Sequence, residues 1–104
     1  MSLFFESTIG TKDKFMLNSD LTVIHLPEQK SFEVRLDTFT AELNYYLSAD
    51  TITFTHTGVP AALEGRGIGS LLVRAGLTYA KENNLKVYSR CWFVDKYRQR
   101  HPNE

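Results

Sequence analysis

The chain has 104 residues, 42% of them hydrophobic, and its twelve basic and twelve acidic side chains cancel to a formal net charge of zero. That length supports a single domain over 1–104 with one core and excludes separate cofactor and substrate domains, while the charge balance argues against nucleic acid or an anionic membrane as partner. One cysteine excludes an internal disulfide, and with neither a signal-peptide pattern nor an apolar run of about 18 residues the chain is expected to be cytoplasmic.

Residues 1–20 carry Phe4, Phe5, Ile9, Phe15, Met16 and Leu17 with no clean period of 2 or 3.6. They read as an N-terminal extension packing an edge of a core over 21–102. Leu21–Leu26 is a β-branched strand closed by Pro27, and Ser31–Leu36 alternates Phe32, Val34 and Leu36 with polar partners, which together predict a hairpin. After a turn at Asp37 and Thr38, a third strand carries Ala41, Leu43, Tyr45 and Leu47 on one face. A fourth, Thr51–Thr57, places Ile52, Phe54 and His56 on one face and four threonines on the other, completing an antiparallel meander. Gly58 and Pro60 then open the ladder.

From Ile68, apolar positions 68, 71, 72, 75 and 79 form one helical face and 73, 77 and 80 a second, so a helix over 67–83 is buried on two sides. Gly76 weakens such a helix and marks close approach to the sheet. Asn83 and Asn84 offer a left-handed cap, and Leu85–Cys91 reads as a fifth strand, parallel to the fourth after the crossover helix. Trp92–Arg100 is a short amphipathic helix with Phe93, Val94 and Tyr97 inward and Lys96, Arg98 and Arg100 outward. The expected fold class is therefore α+β: a mixed, mostly antiparallel sheet, a main helix after the glycine loop and a short C-terminal helix.

Gly65, Gly67 and Gly69 stand at alternate positions where the main helix begins, an arrangement that turns backbone N–H groups toward an anion at the helix's positive end. A nucleoside triphosphate loop is excluded, because the glycine-serine end lacks the lysine that neutralises the outer phosphates. A dinucleotide fingerprint is excluded as well: Ser70 occupies its third glycine position, and no acid follows at the end of the fifth strand. A pyrophosphate with an extended arm beside the broken strand remains.

Val59 through Gly69, with Glu64-Gly65-Arg66-Gly67-Ile68-Gly69 at its centre, resembles the acetyl-coenzyme A loop of the GNAT acyltransferase superfamily, Arg/Gln-x-x-Gly-x-Gly/Ala, with the coenzyme expected at Gly65–Ser70. His56-Thr57-x-Val59-Pro60, Tyr79-Ala80, Lys86-Val87, Cys91-x-Phe93-Val94-x-x-Tyr97 and Arg100-His101-Pro102 resemble more specifically a small single-domain GNAT-like family, over about residues 20–102. Glu64 stands at the superfamily's Arg/Gln position, and Gly58 where the short family has an acidic residue.

The resemblance implies a GNAT-like fold and an acetyl-coenzyme A-dependent N-acetyltransferase acting on an unidentified amine. It also implies backbone N–H groups near Val59 that polarise the thioester carbonyl. Cys91 falls where the short family has a cysteine proposed as an active-site residue, here before a helix N-terminus, and is a candidate to accept the acetyl group and pass it on, against the plainer reading of a small buried hydrophobe. His56 is a candidate general base and Tyr97 a candidate donor of a proton to the leaving thiolate, against the plainer reading of both as core residues. Arg66, Arg74 and Arg98 are candidates of equal rank for the coenzyme's 3′-phosphate. His25, His56 and His101 show no metal-ligand spacing. A monomer or weak homodimer is expected, and the alternative function is a non-catalytic acyl-coenzyme A binding or interaction module.

Overall fold

A computed structural model describes residues 16–17 and 21–102 of the chain. Met16–Leu17 (β1) pairs antiparallel with Leu21–Thr22 (β2), and the fully buried Val23 separates β2 from Ile24–Leu26 (β3). The single strand expected over 21–26 is thus two short ones with different partners, broken where Val23 turns into the core. The rest of the N-terminal extension lies outside the described residues.

Ser31–Leu36 (β4), Phe39–Ser48 (β5), Thr51–Gly58 (β6) and Lys86–Ser89 (β7) join β3 in a five-stranded sheet of order β3-β4-β5-β6-β7. The first three pairings are antiparallel and β6–β7 is parallel. Two-residue turns make the β4–β5 and β5–β6 hairpins, and Asp37 and Ala49 adopt the left-handed backbone those turns need, with φ of 56° and 53°. The result is the mixed, mostly antiparallel α+β architecture that the strand pattern predicts.

One sheet face is covered by Ile68–Glu82 (α1). Phe32, Val34, Leu43, Ile52 and Phe54 from the strands and Leu72, Val73 and Ala75 from the helix are buried together in the core. Burying each large aliphatic or aromatic side chain contributes about 1.5–3 kcal/mol. Gly76 sits where helix meets sheet: a Cβ there would lie 2.7 Å from Phe54 Cε1 and 3.1 Å from Leu43 Cδ2. The helix ends as expected, with Asn84 left-handed at φ 56°. Leu85 N–H donates to Ala80 O at 2.8 Å and Asn84 N–H to Lys81 O at 3.3 Å, a Schellman pair.

β7 stops at Ser89 rather than Cys91, and the Ser89 hydroxyl is the reason. It donates to Cys91 O at 2.9 Å and accepts from Cys91 N–H at 3.1 Å, turning the chain out of the sheet so that Cys91 caps Trp92–Arg100 (α2). Val94 and Tyr97 anchor α2 in the core, and Lys96, Arg98 and Arg100 are exposed. On the sheet's other face Tyr46, Thr53 and Tyr88 stand in one row, and the two exposed tyrosines cover the threonine. Among the described residues no helix is long and apolar enough to cross a membrane.

Candidate active site

The site begins with an irregularity in β6. Leu47, Tyr46 and Tyr45 face Ile52, Thr53 and Phe54, but the next partners are Asn44 with His56 and Leu43 with Thr57, so Thr55 is an unpaired extra residue. Such a bulge inverts the alternation of every later side chain. His56 therefore does not share the face of Ile52 and Phe54, as strict alternation predicts. It is exposed on the side of Gly58, where an added Cβ would lie 3.1 Å from His56 Nε2. Thr57 takes the inward position opposite buried Leu43, and its hydroxyl lies 3.4 Å from Cys91 Sγ.

The same end of β6 loses its parallel partner. β6–β7 pairing runs from Thr51 with Lys86 to Phe54 with Ser89, closed by Arg90 N–H donating to Phe54 O at 2.9 Å. Beyond it the chain departs into α2 while β6 continues to Gly58. The sheet splays open between His56–Gly58 on one side and Cys91 on the other. That leaves the β7-facing edge of β6 free to pair with an extended ligand.

The glycine loop closes the third side. Gly65 and Gly67 have φ of 84° and 75°, a backbone that only glycine adopts without strain, and no atom lies within 4 Å of where a Cβ would project. Gly67 is the N-cap of α1, and the first bond of the helix is Leu71 N–H to Gly67 O at 3.0 Å. The amides of Ile68, Gly69 and Ser70 precede that bond, no side chain caps them, and the first turn carries no acidic residue. Three aligned donors at the positive end of a 15-residue helix fit a pyrophosphate.

A cavity of about 630 Å³ joins these parts. Its walls include His56, Thr57 and Val59 from β6 and the segment after it, and Cys91 with Trp92 at the start of α2. The loop contributes Glu64, Gly65 and Gly67, and the helix Ile68, Gly69 and Ser70. Arg66 is exposed and does not line it. Glu64 is exposed at its wall, so an anion held here is bound by main-chain amides and not by this side chain.

Tyr97 is placed elsewhere. It is buried, stacked on His101 at a ring distance of 4.2 Å, and lines a smaller neighbouring cavity of about 250 Å³ instead of the main one. Arg74 is exposed on α1, and Arg98 lies on another side of α2 beside Asp95 and Gln99. Thr57 and Trp92 line the cleft and Ser89 holds the backbone of Cys91, three placements that the strand pattern does not reveal. Only Trp92 had a signal, as a large aromatic at the first position of a helix, outside its apolar face. Among the described residues no group of three His, Cys, Asp or Glu side chains is placed to hold a metal.

The profile of the GCN5-related N-acetyltransferases matches residues 31–104. Protein NATD1 from Xenopus tropicalis is 35% identical over 88 residues, covering 82% of this chain and 81% of that protein. NATD1 from Mus musculus is 35% identical over 85 residues, covering 79% and 77%. A GCN5-like protein from Staphylococcus aureus, solved by NMR, superposes with a TM-score of 0.62 at 30% identity over 80% of this chain and 82% of that one. With the profile covering most of the domain, relatives aligned across most of their own length and a shared sheet and helix arrangement, the chain belongs to the GCN5-related N-acetyltransferase family.

Proposed function

We propose that the protein is an acetyl-coenzyme A-dependent N-acetyltransferase that passes the acetyl group through Cys91 to an amine. The observation that carries this reading is one cleft joining three unbonded helix amides to a thiol within 3.4 Å of a threonine hydroxyl. The coenzyme supplies an activated acetyl group as a thioester. The amides of Ile68, Gly69 and Ser70 hold its pyrophosphate, and the free edge of β6 through Val59 pairs with its extended arm and polarises the carbonyl.

Cys91 Sγ then forms the new carbon–sulfur bond as the bond to the coenzyme sulfur breaks, and the Cys91 proton leaves with the coenzyme thiol. In the second half the amine nitrogen attacks the acetylated Cys91. The carbon–nitrogen bond forms, the Cys91 thioester bond breaks, and the amine's proton restores the thiol. Thr57 positions Sγ through its hydroxyl. His56, on the sheet face away from α1, meets the acceptor from the opposite side and takes the proton that an ammonium must lose before it attacks.

Incubation with acetyl-coenzyme A, followed by mass spectrometry, is expected to find an acetyl adduct on Cys91 that disappears when a reactive amine is added. Cys91→Ala is expected to lower turnover by about 100-fold or more while coenzyme affinity stays within about twofold. An adduct-free protein whose turnover survives Cys91→Ala transfers directly. A protein stabilised by the coenzyme without turnover on any amine is a binding module, the reading favoured by Gly58, which puts no carboxylate base where the short family has an acidic residue.

A further inference from the structure

The smaller cavity beside the main one has no role in the acyl-transfer chemistry, and its lining is chemically one-sided. It lies between the first turn of α1 and the side of α2, and shares Ser70, Trp92 and Phe93 with the main cleft. Its other contributors include Lys96 and Arg100, and none is a carboxylate. Trp92, Lys96 and Arg100 are spaced by four residues and so form one stripe along α2. Asp95, the acid of α2, instead lines a different depression together with Arg98.

Two features of the stripe call for a ligand. Trp92 is 71% exposed, the most exposed large hydrophobic side chain among the described residues, with only an edge contact to Phe93 at a ring distance of 6.0 Å. Lys96 and Arg100 make no ion pair or side-chain hydrogen bond among the described residues. A bare aromatic face followed along the helix by two unopposed cations is complementary to a flat heteroaromatic base that carries a phosphate. The stripe starts beside Ser70, where the pyrophosphate amides end.

We propose that this stripe is the seat of the 3′-phosphoadenosine end of the coenzyme, with Trp92 stacking on the base and Lys96 and Arg100 neutralising the ribose 3′-phosphate. The assignment rests on the coenzyme reading above. It replaces Arg66, Arg74 and Arg98, none of which lines either cavity, and it makes α2 a determinant of coenzyme choice as well as the element that Cys91 caps. Stacking accounts for an exposed tryptophan next to an anion site. Two charge-assisted contacts account for selectivity between phosphorylated and dephosphorylated forms.

Trp92 is the only tryptophan in the chain, so its fluorescence reports occupancy directly. Titration with coenzyme A, 3′-dephospho-coenzyme A and adenosine 3′,5′-bisphosphate is expected to perturb Trp92 emission in each case. Coenzyme A is expected to bind at least roughly tenfold tighter than its dephospho form. Lys96→Ala combined with Arg100→Ala places a good helix former at two exposed positions, so the fold is retained, and is expected to bring that ratio to about one while leaving dephospho-coenzyme A affinity unchanged. Arg74→Ala and Arg98→Ala are expected to keep the wild-type ratio. A ratio near one in the wild type, or a ratio that survives the double substitution, overturns the assignment while coenzyme binding itself stands. Failure of all three ligands to bind overturns the coenzyme reading and this one together.

Discussion

Tyr45 shows how one side chain sets a condition on the whole fold. Its ring packs among His25, Phe32, Phe54 and Tyr79, and its hydroxyl shares a 2.7 Å hydrogen bond with His25 Nε2. Burial first, and Tyr79 second, push its pKa from 10.0 up to about 12. The folded state therefore holds the phenol proton more tightly than the unfolded chain does. Below pH 10 both states are protonated and the native packing is at full strength. As pH rises from 10 toward 12 the unfolded chain ionises first, and stability falls by on the order of 2 kcal/mol. Denaturant titrations across that range are expected to show the fall in the wild type and to lose most of it in Tyr45→Phe. The variant gives up the His25 hydrogen bond, at a cost of about 1 kcal/mol near neutral pH.

At the scale of elements, the contact between the two helices decides the shape of the cleft. A Cβ on Gly69 would lie 2.7 Å from Phe93 Cζ, so α2 approaches α1 at a residue that lines the cavity. Gly69→Ala is expected to cost about 1–3 kcal/mol by forcing that ring away. Adding Phe93→Leu is expected to recover about 1 kcal/mol or more of it in a double-mutant cycle read by denaturant unfolding. Additive costs would mean that the ring does not hold α2 against α1.

Helix α1 was legible at both ends because each rests on local rules: alternate glycines where it starts, a 3.6 period along it and an asparagine cap where it stops. The inward face of Tyr45 and the close approach at Gly76 followed from the same periodicities. The bulge was not legible. Thr55 lies in a run of perfect alternation, and only pairing with β5, where Asn44 faces His56, spends one residue without a partner. That is why His56 and Thr57 exchange faces, and why the thiol's neighbour is a threonine that pattern alone assigns to the other side of the sheet. The end of β7 was hidden for a similar reason, since Ser89 bonds across two residues to Cys91 and overrides a strand-like sequence.

For the whole molecule, the cleft is also a gap in the sheet, where β6 runs on past the end of its pairing with β7. The radius of gyration is 13.4 Å, ordinary for this length, and the core lies on the α1 side of the sheet. Within the five-stranded sheet β6 has neighbours on both sides only up to Phe54, and beyond that point α2 and the end of β6 border the same opening. A ligand that touches the α1 amides, the free edge of β6 and the α2 stripe together supplies the connection that the sheet lacks there. Ligand at about 100 times its Kd adds about 2.7 kcal/mol of stability. For a domain of this size that raises Tm by about 10 °C or more. Hydrogen exchange is expected to slow most at residues 55–59, at the start of α1 and through α2, with β3 and β4 little changed beyond the global shift. Protection confined to the α1 amides would leave a phosphate site and no bridging arm. Protection that also reaches β6 and α2 is the signature of an extended coenzyme lying in the splay, and coenzyme A and adenosine 3′,5′-bisphosphate compared side by side separate the two, since only the former carries the arm that pairs with β6.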